Sequence, residues 1–528
     1  MDRSAISRPP EVLLTNFQSI LYRGIPPSTG EATRQPDFFV DLNLDQVVHA
    51  VTAAREEYRL APYYWMPLKD PGDVFYRQEI AKNLENRALQ ERLGVFALEM
   101  QGMRRRMPDT KKQYYKYQRE RFFLEAVARY CKAVVVLGKD LARIECGSEG
   151  LLRFRDYLNG YLGSGAFPQL RGDTEGLLDA LDKTEYGIYT RELTVQVRPR
   201  GPETDYTKEI ERLFGRFRRE GWTLERVPKT EEPQPRDEMN QVEGRILEGV
   251  ATLFPDLFRR LDEFCERYVE FWDQRIIGFD REIQFYLSYL EYINKLRATG
   301  LSFCYPELSV TDKEVLNVEG FDLALARKLT AEGRSVVCND LSLSGRERII
   351  IVSGPNQGGK TTFSRTVGQL HYLAALGLPV PGKQAKLYLF DQLFTHFERA
   401  EHAGDLRSKL EDDLVRLHHI LTKATPASII ILNEILSSAT LQDAIYLSRK
   451  LMARIDRLDA LCVWVTFLDE IIGDSEKTVS MVSEMEPGDR TIRTYKIVRK
   501  PADGLAYALA IAEKHGLTYQ ELKKRLNR

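Results

Sequence analysis

The chain has 528 residues, with 43% hydrophobic and 29% charged side chains. That excludes a disordered polymer and leaves room for roughly three or four domains. Lys+Arg is 76 against Asp+Glu 77, a formal net charge of -1, which excludes a globally basic nucleic-acid binder but not a local basic patch. The first thirty residues lack the apolar core of a signal peptide, and no stretch approaches the length of uncharged apolar chain that a membrane span needs. The cysteines at 131, 146, 265, 304, 338 and 462 show no CxxC spacing. Neither a zinc ribbon nor a disulfide scaffold is expected, and scattered thiols fit a reducing cytoplasm.

Residues 1–40 read as an extended arm punctuated by prolines, with Val12–Tyr22 as its one short helix. Residues 41–150 form a first helical region, with helices over Asp45–Leu60, Asp73–Met100 and Gln113–Ile144. Residues 151–240 form an inserted connector. Within it Glu185–Val197 has the partial alternation of a strand or hairpin, and the polar, proline-rich 199–240 reads as a mobile insertion. Helical periodicity returns from Val242 to Leu296 with a break near Pro255, so 241–310 is a second helical region. Its aromatics Trp272, Phe279, Phe285, Tyr286, Tyr289 and Tyr292 recur at helical spacing, as packing residues do.

The pattern changes near residue 300. Arg348–Val352, Ser428–Leu432 and Leu461–Thr466 are short runs, apolar on both faces, as expected for strands of a sheet covered on both sides. The fold class is therefore an α-helical half followed by an α/β domain over 311–528.

Gly354 to Thr361 reads GPNQGGKT, directly after the first of these strands and before a helical pattern. That is the context required of a phosphate-binding loop, whose backbone N–H groups turn onto phosphates at a helix N-terminus. Gly354, Pro355, Asn356, Gly358, Gly359, Lys360, Thr361 and Thr362 are the expected nucleotide contacts. Lys360 reaches the β/γ-phosphates and the Thr361 hydroxyl reaches Mg²⁺. The strand Ser428–Leu432 ends in Asn433-Glu434. Glu434 is placed to orient or deprotonate a water, and Asn433 to bond a Mg²⁺-bound water without adding charge.

With these residues in view, the C-terminal part resembles the ATPase domain of the MutS family of DNA mismatch-repair proteins. The resemblance rests on VCNDLSL (337–343), SGPNQGGKTTFSR (353–365), LPVPGKQAKLYLFDQLFTHF (378–397), the run 406–435 and DGLAYALAIAEKHGL (503–517), all in family order. It implies a P-loop (ABC-type) ATPase that uses ATP and Mg²⁺. Two subunits would sandwich two nucleotides, with Ser408 matching the signature serine that reaches across, and Phe394 lying near the nucleotide. It further implies a homodimeric clamp on double-stranded DNA (mismatched, branched or otherwise distorted), with the helical regions as levers and 151–240 as the clamp. A cytoplasmic protein, nucleoid-associated if bacterial, is expected.

Asn433 stands where the family has aspartate, Leu436–Thr440 where it has a glycine-rich turn, and Phe467 where it has a histidine. The helical pattern begins too early for an N-terminal mismatch-reading domain, so the resemblance is to a member lacking it. The departures keep a second reading open, a nucleotide-gated interaction module with little hydrolysis. A chromosome-maintenance ATPase is disfavoured, because no heptad run of the needed length exists.

Arg104 to Arg121 carries a local net charge of +6 with Tyr114, Tyr115 and Tyr117 interleaved. Arg104, Arg105, Arg106, Lys111 and Lys112 are its candidate DNA contacts, or the run is a solvated helix face. A second set, Arg212, Arg216, Arg218 and Arg219 with Phe214 and Phe217, reads as an amphipathic helix or a weaker contact.

Overall fold

A computed structural model describes residues 17–24, 34–112, 114–191, 194–201, 239–398, 409–468, 471, 475–486, 489–501 and 517–526. Their contacts divide into two compact units. One draws on 88–145 and 153–277 together with Phe17; the other draws on 18–87, 146–152 and 278–528.

The first unit is helical. Lys116–Arg143 presents an apolar stripe that includes Phe123, Val127, Tyr130, Val134, Leu137 and Leu141, the i, i+3/i+4 spacing that buries one helix face. Helices Glu149–Gly163 and Ala166–Asp182 follow. Then come the antiparallel strands β1 (Tyr186–Arg191) and β2 (Thr194–Pro199), which form the expected hairpin. Helix Gln241–Leu253 starts in a capping box made by Asn240 and Glu243, satisfying N–H groups that a helix end otherwise leaves unpaired. Pro255 opens the next helix, Pro255–Arg267, so the expected break there is a change of helix. Residues 202–238, including the second arginine set, lie outside the described residues.

The second unit is α/β. Short strands β3 (Phe303–Cys304), β4 (Glu307–Ser309), β5 (Val315–Gly320) and β6 (Asn339–Leu343) precede β7 (Ile349–Ser353). They are followed by β8 (Val380–Pro381), β9 (Gln384–Tyr388), β10 (Leu393–Phe397), β11 (Ile429–Asn433), β12 (Leu461–Val465), β13 (Thr478–Glu486) and β14 (Asp489–Arg499). The main sheet has the order β10-β11-β12-β7-β13-β14. Its first five strands are parallel and β14 returns antiparallel on β13. Strands β7, β11 and β12 are buried at every residue, as the unbroken apolar runs predict. On one face Ile349, Ile351, Ile430, Leu432 and Trp464 pack with residues of helices Lys409–Lys423 and Leu441–Leu458. On the other lies helix Lys360–Ala375, so close that a Cβ on Gly368 would come within 2.9 Å of Ile431.

Helix Lys360–Ala375 is buried along most of its length, and early parts of the chain enclose it. Gln369 Nε2 donates to Leu42 O (2.8 Å), Arg365 Nε to Asp41 O (2.9 Å) and Tyr372 Oη to Tyr64 O (2.8 Å). Beyond its C-terminus the fully buried Arg77 donates to Leu376 O (3.3 Å) and Leu21 O (2.7 Å), a cation against the negative end of the helix dipole.

Three sequence expectations need correction. Residues 17–24 are irregular, not the end of a Val12–Tyr22 helix; residues 12–16 lie outside the described set. Their backbone is claimed by side chains: Tyr76 Oη donates to Ser19 O (2.8 Å), Tyr286 Oη donates to Ile20 O (2.7 Å), and Ile20 N–H donates to Glu282 (2.8 Å). Asp73–Met100 is two helices, Pro71–Asn83 and Arg87–Lys112. Asn83 Oδ1 accepts from the N–H groups of Gly147 and Ser148, both at 2.8 Å, and the chain turns there. Asp45–Leu60 becomes helix Leu44–Thr52 and a tight turn Ala53–Tyr58, in which Arg55 leaves helical geometry and donates to Gln284 at 2.9 Å.

Trp464 is 1% exposed in the centre of the sheet. Trp464→Ala should cost about 3–5 kcal/mol by the cavity it leaves; equilibrium denaturation of the two proteins checks this, and a loss under about 1 kcal/mol would contradict the packing described.

Candidate functional site: the glycine-rich loop and its carboxylate

In a parallel sheet, ligand sites form beyond the carboxyl ends of the strands. Here that edge carries the 354–359 loop after β7, Asn433-Glu434 after β11 and Thr466-Phe467 after β12. The loop is compact because glycine permits it. Gly354 and Gly359 have φ of +120° and +92°, and a Cβ on Gly358 would lie 2.3 Å from Ser483 Oγ. The Ser483 hydroxyl donates to Gly358 O at 2.7 Å, tying the loop to β13. Arg493 Nε of β14 donates to Asn356 O at 3.2 Å.

Lys360 opens the helix and is 3% exposed. Its ammonium donates to Gly354 O (2.9 Å) and Pro355 O (3.1 Å) and lies 3.9 Å from Glu434 Oε1. It also sits 4.1 Å from the centroid of the Phe467 ring. Burial pushes its pKa down to about 8, with Glu434 opposing the shift and Arg493 adding to it. Burial likewise raises the Glu434 carboxyl above the ordinary range, against the pull of Lys360. A cation at the positive end of a helix dipole, nearly out of water, is an arrangement that an anion would relieve.

Glu434 is held in a left-handed conformation, φ +52°, as is Leu436, φ +61°. For non-glycine residues this costs of order 1–3 kcal/mol each and must be held by neighbours. The Glu434 N–H donates to Val465 O at 3.0 Å. The Leu436 N–H donates to Asp413 Oδ2 at 3.2 Å, while Asp413 Oδ1 faces His396 Nε2 at 2.9 Å. Burial alone would raise the Asp413 pKa, but the His396 contact and the Leu436 N–H outweigh it and hold it low. Ser437 Oγ donates to Glu398 at 2.9 Å.

Asn433 is buried, and its Oδ1 has no hydrogen-bond partner among the described residues. An unpaired amide oxygen is costly in the interior, and as a hard oxygen donor it suits Mg²⁺ or a Mg²⁺-bound water. The donor set at this edge therefore fits the implied ion.

The structure thus brings together Gly354, Pro355, Lys360 and Glu434. Asn433 precedes Glu434, and Thr361 and Thr362 continue the helix after Lys360. Phe394 packs against the apolar cluster on the same sheet face as its β11 neighbour Ile430, and its described contacts are there. Ser408 lies outside the described residues, as does 503–516 of the closing segment. Sequence reasoning missed Ser483, Arg493, the Asp413–His396 pair and Phe467 as a neighbour of Lys360. One signal was available: Asp413 falls on the buried stripe with Leu417 and Ile420, where a solvated acid would not.

In the basic run, Arg105 is exposed and Arg106 lies over the Phe122 ring at 4.7 Å. Arg104 shares their helix, and the side chains of Lys111 and Lys112 lie outside the description. Lys116 pairs with Asp262 at 2.6 Å and Arg121 with Glu125 at 3.1 Å, so part of the +6 is neutralised. Tyr117 packs on Phe258, whereas Tyr114 is 89% exposed. Among the described residues no helix is long and apolar enough to cross a membrane.

Asp413→Ala should remove the acceptor for the Leu436 N–H and for His396, lowering stability by about 1–3 kcal/mol; denaturant titration of the variant measures it, and an unchanged midpoint would contradict the role given to Asp413.

The MutS domain V family model matches residues 350–525. The DNA mismatch repair protein MutS of Shouchella clausii (strain KSM-K16) is 26% identical over 288 residues, which are 54% of this chain and 32% of that protein. The DNA mismatch repair protein MutS of Orientia tsutsugamushi (strain Boryong) is 27% identical over 221 residues, 41% of this chain and 25% of that one. The Thermotoga maritima protein of the same name is 24% identical over 288 residues, 53% of this chain and 35% of its own length. The matched stretch thus spans only about a quarter to a third of these relatives. Through its domain V and these relatives, the chain is a member of the MutS family.

Proposed function

We propose that this chain is a DNA-binding ATPase that works as a homodimer and closes on distorted or branched duplex when ATP binds. The observation that carries the reading is Lys360, a buried ammonium at a helix N-terminus with Glu434 3.9 Å away. The loop 354–359, Lys360, Thr361 and Thr362 hold the triphosphate, and Lys360 supplies charge against its β- and γ-oxygens. Mg²⁺, held through Thr361, Asn433 and Glu434, neutralises phosphate charge when bound. Glu434 orients the attacking water and takes its proton; burial raises its carboxyl pKa, which makes it a stronger base than a solvated carboxylate. Ser408 reaches the nucleotide of the partner copy. On the helical unit, the exposed Arg105 and Tyr114 are the first candidates for duplex contact.

A second reading, nucleotide-gated association with little turnover, is favoured by one observation. Asn433 brings no charge to the position beside Glu434, so the ion is held less tightly.

Mg²⁺-dependent ATP hydrolysis, with and without branched duplex, separates the two. The ATPase reading expects DNA-stimulated turnover that falls at least about 100-fold in Glu434→Gln. Tight ATP binding without turnover in either condition would leave the gated module.

The depressed pKa of Lys360 gives a pH signature. The ammonium is the phosphate-binding form, so affinity is full below about 8 and is lost as the free protein deprotonates above it. From pH 7 to pH 9, ATP affinity measured calorimetrically should fall about tenfold; a flat profile would show that Lys360 does not titrate as described.

A further inference from the structure

The protein's own groups surround the Lys360 ammonium. Two loop carbonyls accept from it, Glu434 lies at 3.9 Å, and the Phe467 ring covers it at 4.1 Å. The backbone on either side of Phe467 is held by hydrogen bonds. The preceding Thr466 is 5% exposed, and its N–H donates to Val352 O at 3.1 Å, on the strand that carries the loop. The following Leu468 N–H donates to Thr466 Oγ1 at 3.0 Å. Phe467 is nevertheless 51% exposed. A large apolar side chain is thus presented to solvent directly over a buried charge, where burial of the ring itself gains little. What the ring provides is its negative face, which attracts a cation.

We propose that Phe467 is a positioning residue that holds Lys360 in the nucleotide-free protein and thereby sets the affinity of the loop for polyphosphate. A β- or γ-phosphate oxygen must draw the ammonium away from the ring and from the two carbonyls, so each contact made without nucleotide is subtracted from binding. A phenyl ring offers no hydrogen bond to a phosphate oxygen and cannot return in the bound state what it gives up. The inference rests on the phosphate-loop reading above.

The test is the affinity of purified full-length protein for Mg·ATP and Mg·ADP, by calorimetry, in wild type, Phe467→Leu, Phe467→Ala, Phe467→Trp and Lys360→Ala. Leucine keeps apolar bulk but has no π-face, and tryptophan has the strongest one. Cation–π energies from exposed to desolvated sites correspond to about two- to thirtyfold in affinity. The Leu and Ala variants should bind both nucleotides tighter by a factor in that range, and the Trp variant no tighter than wild type. That order separates loss of the π-face from loss of packing. An unchanged Kd in Phe467→Leu, or tighter binding in Phe467→Trp, would overturn the inference while leaving the phosphate loop standing, provided Lys360→Ala abolishes binding. Weaker binding in Phe467→Leu would mark the ring as a nucleotide contact and also overturn it. If neither wild type nor any variant binds nucleotide, the phosphate-loop reading itself fails, and the inference with it.

Discussion

The second unit is organised around a charge kept almost out of water. An ammonium costs several kcal/mol to desolvate unless it is paired, and the start of a helix is the wrong end for a cation. Lys360 occupies that position because the 354–359 loop folds its own carbonyls back onto it and because Glu434 and Phe467 complete the enclosure. Each of these partners depends on something further out. The loop depends on Ser483 and Arg493 of β13 and β14. Glu434 depends on Val465 and, through Leu436, on Asp413 and His396. The contacts of the candidate site therefore reach β10 and β12–β14 of the main sheet, as well as the helix that packs beside β10.

Helix Lys360–Ala375 joins this edge to the interior. Its far end is met by Arg77, a guanidinium buried at 0% exposure that also lies over the Tyr22 and Phe285 rings at 5.1 and 5.5 Å. A buried cation at each end of one helix is an unequal pair. The one at the C-terminus is favoured by the dipole, and the one at the N-terminus is opposed by it. The cation at one end is thus aligned with the helix dipole and the one at the other end is held against it, where an incoming anion would act.

Much of this was legible in the sequence. The loop motif, the three buried strands and the 186–199 hairpin follow from short-range patterns, because glycine placement and apolar runs encode backbone geometry locally. What was not legible is long-range pairing. Nothing local says that Ser483 will brace Gly358, that Phe467 will cover Lys360, or that Asp41, Leu42 and Tyr64 will enclose a helix that begins at residue 360. The missed helix break after Asn83 has the same origin: the apolar spacing runs on through it, and the turn is fixed by Asn83 accepting from Gly147 and Ser148. The 17–24 segment was misread because its apolar residues fit a helix, while its hydrogen bonds come from side chains elsewhere in the unit.

That enclosure has a consequence for how the protein is made. Residues 38–87 leave the ribosome long before the helix they surround, at roughly 5–20 residues per second a wait of tens of seconds. During that interval Phe39, Leu42 and Tyr64, each no more than 1% exposed in the finished molecule, have no helix 360–375 to cover them. The nascent chain must keep these surfaces apart from one another and from other chains until the C-terminal third arrives. A gene fragment beginning near residue 298 would lack the segments that seal the buried helix, and would expose Gln369 and Tyr372 instead. The compact unit around this helix therefore does not coincide with the matched residues 350–525; it also takes in Asp41, Leu42, Tyr64 and Arg77.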